Sequence, residues 1–251
     1  MKLSSNKHWS AKILVVAGVF VCMSMAFTSS TNVSAHVTAK EAAVAKTSLV
    51  SEKMNLYDSL ALGSLGLSRQ AFEFALTGFS NLVNAGKIKK DNLLSILDFT
   101  LPSGKKRLFV IDLITGELLF NTYAAHGRNS GQAIATKFSN QPNSYKSSLG
   151  FYVTGDTYNG KHGTSLRLEG EEKGINDNAL SRGIVMHSAT YVDEDIIERQ
   201  GFIGRSQGCP ALPGNIYKDV IEKIKDGSCL FLYSPDKYYS THSKILKGGN
   251  A

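Results

Sequence analysis

The sequence predicts a mainly β domain behind a short helical N-terminal segment. Three observations carry that reading. Short apolar runs recur from about residue 104 to 235, each bounded by Gly, Asn or Ser. The stretch before them has helical spacing of its apolar residues instead. The chain, 251 residues and 42% hydrophobic, is long enough to bury a core without disulfide staples. It has no internal repeat.

The elements follow in order. Residues 1–35 carry Lys2, Lys7 and Lys12, an apolar core "ILVVAGVFVCMSMAF" at 13–27, and the polar "TSSTNVSA". This charged–apolar–small layout is that of a secretory signal peptide, cut after Ala35, and the apolar run is short for a spanning helix. Val21 before Cys22 is branched where a lipoprotein site wants a small residue. Removal of 1–35 takes away three lysines and no acid, so the formal charge falls from +7 to +4. That mild basicity suits an anionic partner such as cell-wall polymer and is too weak for nucleic acid. The membrane matters only for export, and the destination is the periplasm or cell envelope.

Residues 36–103 form the helical segment. Its first part, 36–60, is rich in Ala, Lys and Glu. A better helix begins at the N-cap Ser68, "SRQAFEFALTGFSNLVNAG", with Phe72, Leu76, Phe79 and Val83 on one face and Gly86 as its stop. From 104 to 235 the pattern is β. "RLFVIDL" and "ELLFNTYA" flank "ITGE" as a hairpin, and "GFYVTG", "TSLRLEG", "RGIVMHS" and "SCLFLYS" are further strands. Asn215 caps a helix "IYKDVIEKIKD" that presents Ile216, Val220 and Ile224 and stops at Gly227. Residues 236–251 are a polar, basic, mobile tail.

One stretch stands apart. In "GRSQGCPALP" at 204–213, Cys209 lies between a glycine and a proline in a polar loop, whereas Cys229 lies in an apolar strand and reads as a small buried hydrophobe. On the residues alone Cys209 is a disulfide partner of Cys229, a metal ligand or a nucleophile. Metal binding is the poorest, because there is no Cys-x-x-Cys and no His-Glu-x-x-His. A nucleophilic thiol needs a base or positive surroundings that lower its pKa. His187, 22 residues upstream at the end of an apolar strand, supplies a rigidly held imidazole. Gly208 lets backbone N–H groups approach a substrate oxygen closely, as an oxyanion hole requires. Ser206 bonds within the loop, and Arg205 offers its charge to a carboxylate. His126, in "AAHGRNSG", reads as a substrate-binding residue; His162, in "GKHGTS", reads as part of a turn.

His187 followed by Ser206-Gln207-Gly208-Cys209 resembles the signature of YkuD-like L,D-transpeptidases, in which a strand-borne histidine precedes a Ser/Thr-His-Gly-Cys loop. Further matching segments are "LFVIDLITGELLFNTYAAHGRNSG", "GINDNALSRGIVMHSATYV" and "GRSQGCPAL", and the resemblance spans about residues 60–235. It implies a β-sandwich catalytic domain that uses no cofactor and no metal. It implies that Cys209 attacks the carbonyl before the terminal D-Ala of a peptidoglycan tetrapeptide stem, with His187 as base. The Ser188 carbonyl would orient the imidazole. An amine of a second stem would then resolve the thioester into a 3–3 cross-link. Gln207 departs from the family's histidine, which bears on donor or acceptor preference. Two alternatives stay open: a carboxypeptidase or cross-link hydrolase on the same Cys/His site, and a catalytically silent wall-binding protein. Oligomeric state is not legible.

The signal peptide gives the first prediction. N-terminal sequencing of exported protein is expected to begin near His36, and recovery of Met1 on most of that protein would refute it.

Overall fold

The computed structural model describes residues 50–248. The expected signal peptide, the first part of the lead-in and the end of the tail lie outside the described residues. Helical residues 50–59 (α1) precede α2 (Arg69–Asn84). Ser68 caps α2, its hydroxyl accepting from Ala71 N at 3.3 Å, and Phe72, Leu76 and Phe79 are buried as their spacing requires. Gly86, at φ +69°, takes the left-handed turn that ends the helix.

Eight strands then build one mixed sheet: β1 (Leu93–Asp98), β2 (Leu108–Asp112), β3 (Glu117–Thr122), β4 (Gly150–Gly160), β5 (Gly163–Gly170), β6 (Val185–Ser188), β7 (Ala211–Leu212) and β8 (Cys229–Tyr233). Their order is β3-β2-β1-β8-β4-β5-β6-β7. Only β1–β8 and β6–β7 are parallel. The helices α3 (Glu194–Gln200), α4 (Tyr217–Ile224) and α5 (Lys237–His242) fill the connections and the C-terminal end.

The sheet curls into a barrel-like shell because its two edges meet. The segment continuing β3 reaches β7: Ala125 N donates to the Ala211 carbonyl at 2.8 Å, and Gly127 bridges Ser206. The shell is tied from inside by Arg107, which is fully buried. Its guanidinium donates to the carbonyls of Ala124 (2.9 and 2.8 Å) and Leu101 (3.0 Å) and to His126 Nδ1 (2.7 Å).

Three features differ from what the sequence predicts. Strand β1, "LLSILD", lies inside the stretch expected to be helical. It pairs with β2 and β8 at the centre of the sheet and is buried along its whole length. A strand covered on both faces shows no alternation, so its period is invisible. The cap of α4 is Ile216 without a side-chain bond, not Asn215. The tail expected to be mobile is docked, with Tyr239 and Ile245 each 1% exposed. Its anchor is the buried Glu172 carboxylate, which accepts from Phe151 N (2.8 Å), Tyr239 Oη (3.1 Å) and Ser243 Oγ.

Helix α2 crosses β4 at Gly78, where a β-carbon would fall inside the Phe151 ring. That ring is stacked on Phe231 at 4.2 Å and has no room to yield. Gly78→Ala therefore meets two opposed effects. Helix propensity favours alanine by about 1 kcal/mol, while overpacking a tight core costs typically about 1–3 kcal/mol. With a direct ring clash the second wins. A net loss of about 1–2 kcal/mol is expected in denaturant unfolding, and a Gly78→Ala variant as stable as the parent would show that the crossing is looser than this.

Candidate active site

The loop carrying Cys209 is held by its own serine. Ser206 Oγ donates to the Cys209 carbonyl (2.6 Å) and accepts from Gly208 N (3.0 Å). Its backbone is fixed to the strip that closes the shell: Ser206 N donates to the His126 carbonyl (2.9 Å), and Arg128 N donates to the Ser206 carbonyl (2.7 Å). Gly208 sits at φ +127° with Lys146 and Ile184 packed close, a position that only glycine suits. Past the loop, Ala211 and Leu212 pair in parallel with His187 and Ser188. Cys209 lies two residues before the partner of His187. With strands about 4.8 Å apart and a rise of about 3.3 Å per residue, the two Cα atoms are about 8 Å apart in extended chain.

His187 is 5% exposed, and its Nδ1 lies 2.7 Å from the Ser188 carbonyl. A carbonyl only accepts, so the proton is on Nδ1 and the Nε2 lone pair is free to take a proton. The His162 ring stacks on His187 at 4.5 Å, and the His162 carbonyl receives the Ser188 hydroxyl at 3.2 Å. His162 thus occupies the turn expected of it and also lies against His187 in the candidate site. It sits with Lys161 at the two-residue tip of the β4–β5 hairpin, and sequence gives no sign that this tip reaches the end of β6.

Cys209, His187, His162, Ser206 and Arg205 line one cavity of about 470 Å³. Also on its wall are Tyr191, Tyr145, Asn143 and three more cations, Arg128, Lys161 and Arg182. Asn143 and Tyr145 have φ of 58° and 53°, a conformation that non-glycine residues adopt at a cost. Arg128 lies 4.0 Å over the Tyr145 ring. Arg182, which the sequence reading passed over, is tied by its guanidinium to the carbonyls of Ser139 (2.9 Å) and Lys146 (2.7 Å) and the Ser148 hydroxyl (2.6 Å). A β-carbon on Gly208 would come within 3.4 Å of Arg182 Nη2, so this charge is fixed behind the cysteine loop. A larger hollow of about 600 Å³ lies around Tyr123 and Glu194, with neither cysteine nor histidine on its wall. Among the described residues, no three His, Cys, Asp or Glu side chains gather as a metal would require.

His126 and the Gly208 N–H are placed otherwise than expected. His126 is wholly buried and away from the cavity. Arg107 can only donate, so His126 Nδ1 accepts and its Nε2 donates to the Gly131 carbonyl at 3.3 Å. Burial first, and then Arg107, push its pKa down to about 4. It is a neutral strut of the closing strip. Gly208 N–H, expected at the oxyanion, is occupied by Ser206 Oγ. That leaves the Cys209 N–H beside its own sulfur. Arg205 does face the cavity, its Nη1 resting 3.2 Å from the Gly131 carbonyl.

Both Cys209 and Cys229 are free thiols, so the disulfide alternative is not realised. The protonation states also differ from expectation. Burial raises the Cys209 thiol above its ordinary range, opposed by the Val185 N–H, Arg182 and its own N–H. Burial lowers the His187 imidazole, with His162 and Lys161 adding to the effect against the Ser188 carbonyl. The pair rests as neutral thiol and neutral imidazole. At rest Cys209 Sγ donates to the Gly183 carbonyl at 3.7 Å, so the thiol must turn from that carbonyl before its proton can pass to Nε2 as sulfur attacks an acyl carbon.

The chain matches the L,D-transpeptidase catalytic domain family over residues 64–233. It belongs to this family. Among solved structures, this L,D-transpeptidase family member is similar to an L,D-transpeptidase from Mycobacterium smegmatis, at 15% identity and TM-score 0.36 over 57% of this chain and 59% of that one. An L,D-transpeptidase from Stackebrandtia nassauensis is similar at 15% identity and TM-score 0.34, over 66% and 68% of the two chains. The helical cell shape determining protein Pgp2 of Campylobacter jejuni (K307A mutant) is similar at 16% and 0.36, over 64% and 57%. The chain thus spans somewhat over half the length of the mycobacterial and Campylobacter proteins. Comparison with curated proteins gave no match.

The neutral pair has a measurable signature. Below a raised thiol pKa the thiolate fraction grows about tenfold per pH unit. Alkylation of Cys209 by iodoacetamide should therefore climb steadily from about pH 6 to 8 without a plateau. Cys229, 0% exposed, should stay unmodified in the folded protein. A rate that is flat across this range would mean a preformed thiolate and overturn the assignment of charge.

Proposed function

We propose that the protein is an exported cysteine acyltransferase that forms 3–3 cross-links between peptidoglycan stems through a thioester on Cys209. Membership of the L,D-transpeptidase catalytic domain family supports the substrate class. The observation that carries the reading is one cavity lined by both Cys209 and an imidazole whose Nδ1 is held by the Ser188 carbonyl, with Nε2 left to accept.

The reaction runs in two halves. His187 Nε2 takes the Cys209 proton while sulfur adds to the carbonyl before the terminal D-Ala of a tetrapeptide stem. The oxyanion forms beside the Cys209 N–H, with the Arg182 charge behind the loop. Collapse breaks the C–N bond, His187 returns the proton to the departing D-Ala amine, and the thioester remains. The side-chain amine of a second stem then attacks, His187 takes its proton, and the thiol leaves and is reprotonated. Atoms balance with one D-Ala released per cross-link. Export to the periplasm or envelope, the site of the substrate, rests on the N-terminal pattern.

Disaccharide-tetrapeptides are the test substrate, with products identified by mass. Loss of D-Ala together with a joined dimer is the expected product; loss of D-Ala with water gained and no dimer would instead assign a carboxypeptidase. Cys209→Ala should abolish the acyl-enzyme. His187→Ala should slow acylation by about 10²–10⁴-fold, the usual range for a lost general base. The double variant should be hardly worse than Cys209→Ala, because residues acting as one unit are strongly non-additive. Wild-type acylation by His187→Ala would remove His187 from the reaction.

A further inference from the structure

The cavity wall holds four cations, Arg128, Lys161, Arg182 and Arg205, and no carboxylate. None of the four pairs with an acidic side chain among the described residues. This is a local property. The neighbouring hollow, around Tyr123, sets Lys106 against Asp193, Glu194 and Asp195. The four differ in how they are held. Arg182 is held by the Ser139 and Lys146 carbonyls and the Ser148 hydroxyl, behind the cysteine loop. Arg205 rests on the Gly131 and Arg128 carbonyls through one nitrogen, and Arg128 is laid over the Tyr145 ring. Lys161 stands at the hairpin tip beside His162. Three cations are thus positioned with unused donors and no counter-charge.

Like charges gathered in one hollow repel each other, and that cost is offset only when an anion enters. A phosphate would satisfy them electrostatically but offers no acyl carbon to Cys209. A carboxylate-bearing peptide satisfies both. We infer that the substrate is a stem peptide with free internal carboxylates, and that Arg128, Arg205 and Lys161 select it over the same stem with those carboxylates amidated. This rests on the acyl-transfer reading above. Surface ion pairs are individually weak, because two long side chains must be ordered. Here the ordering is done in advance by the Gly131 carbonyl and the Tyr145 ring, which leaves more of the attraction for binding.

The test compares two synthetic tetrapeptide stems, one with all carboxylates free and one with its internal carboxylates converted to carboxamides. Acyl-enzyme formation on Cys209 is followed by intact mass. The free-acid stem should acylate at least about fivefold faster in kcat/KM, the upper end of what one exposed ion pair contributes. That ratio should shrink between low and roughly 0.5 M salt, which screens exposed charges. It should also shrink in the Arg128→Gln/Arg205→Gln double variant, with circular dichroism confirming its fold. A ratio below fivefold on the unaltered protein overturns the inference, while acylation of Cys209 by either stem leaves the transferase reading standing. A preference that survives both salt and the double variant overturns its attribution to these cations. If neither stem acylates Cys209, while iodoacetamide still modifies it, the transferase reading fails and this inference falls with it.

Discussion

The buried guanidinium of Arg107 is the constraint on which the site depends. It donates to the Ala124 carbonyl twice, to the Leu101 carbonyl and to His126, and so fixes the strip 124–127 against the inside of the shell. From that strip Ala125 holds Ala211, and His126 and Gly127 hold Ser206. The cysteine loop is therefore clamped at both ends by backbone bonds that originate in the core. Burying an arginine this deeply is costly, and burial pulls its pKa down to about 9 even with Asp98 nearby. The cost is tolerated because its donors meet carbonyls and one imidazole lone pair, which keeps the charge hydrogen-bonded where water cannot reach. His126 is neutral for the same reason.

Much of this was legible in the sequence, for identifiable reasons. Ser68, the apolar face of α2 and the β2–β3 hairpin were readable because a cap, a 3.6 period and an apolar–turn–apolar pattern are local signals. Cys209 could be singled out because a cysteine in a polar glycine-proline loop contradicts the usual burial of that residue, and it lines one cavity with His187. What escaped was long-range. Strand β1 is central and buried on both faces, so "LLSILD" has no period that separates strand from helix. The tail docks through Tyr239 and Ser243 onto Glu172, some 70 residues away, and only that partner turns a polar segment into packed structure.

The site divides along the same line. A histidine in a glycine-flanked loop reads identically whether it ends in the core or in the cavity, and here His126 is buried while His162 lines the cavity. One is drawn inward by Arg107, and the other is carried over His187 by the β4–β5 hairpin. Arg182 looks like any loop arginine until the Ser139 and Lys146 carbonyls are brought around it. The oxyanion donors shift for a similar reason. Gly208 was expected to offer its N–H, but Ser206 Oγ, placed two residues away, takes it.

Burial acts in opposite directions on the two reacting groups, since it disfavours whichever form is charged. It lifts the thiol of Cys209 and depresses the imidazole of His187, so both wait uncharged. The surrounding cations do not change this balance evenly. A positive charge favours thiolate but opposes imidazolium, so Arg182, closest to Cys209, helps the sulfur while Lys161, beside His162, hinders the base. On the proposed acyl-transfer reading, nucleophile and base are created together, in the course of proton transfer, rather than stored as an ion pair. A permanent thiolate in an open cationic hollow would meet any oxidant or electrophile that diffused in. On the same proposal, a thiol that ionises only as its proton crosses to Nε2 confines that reactivity to the moment an acyl carbon is in reach.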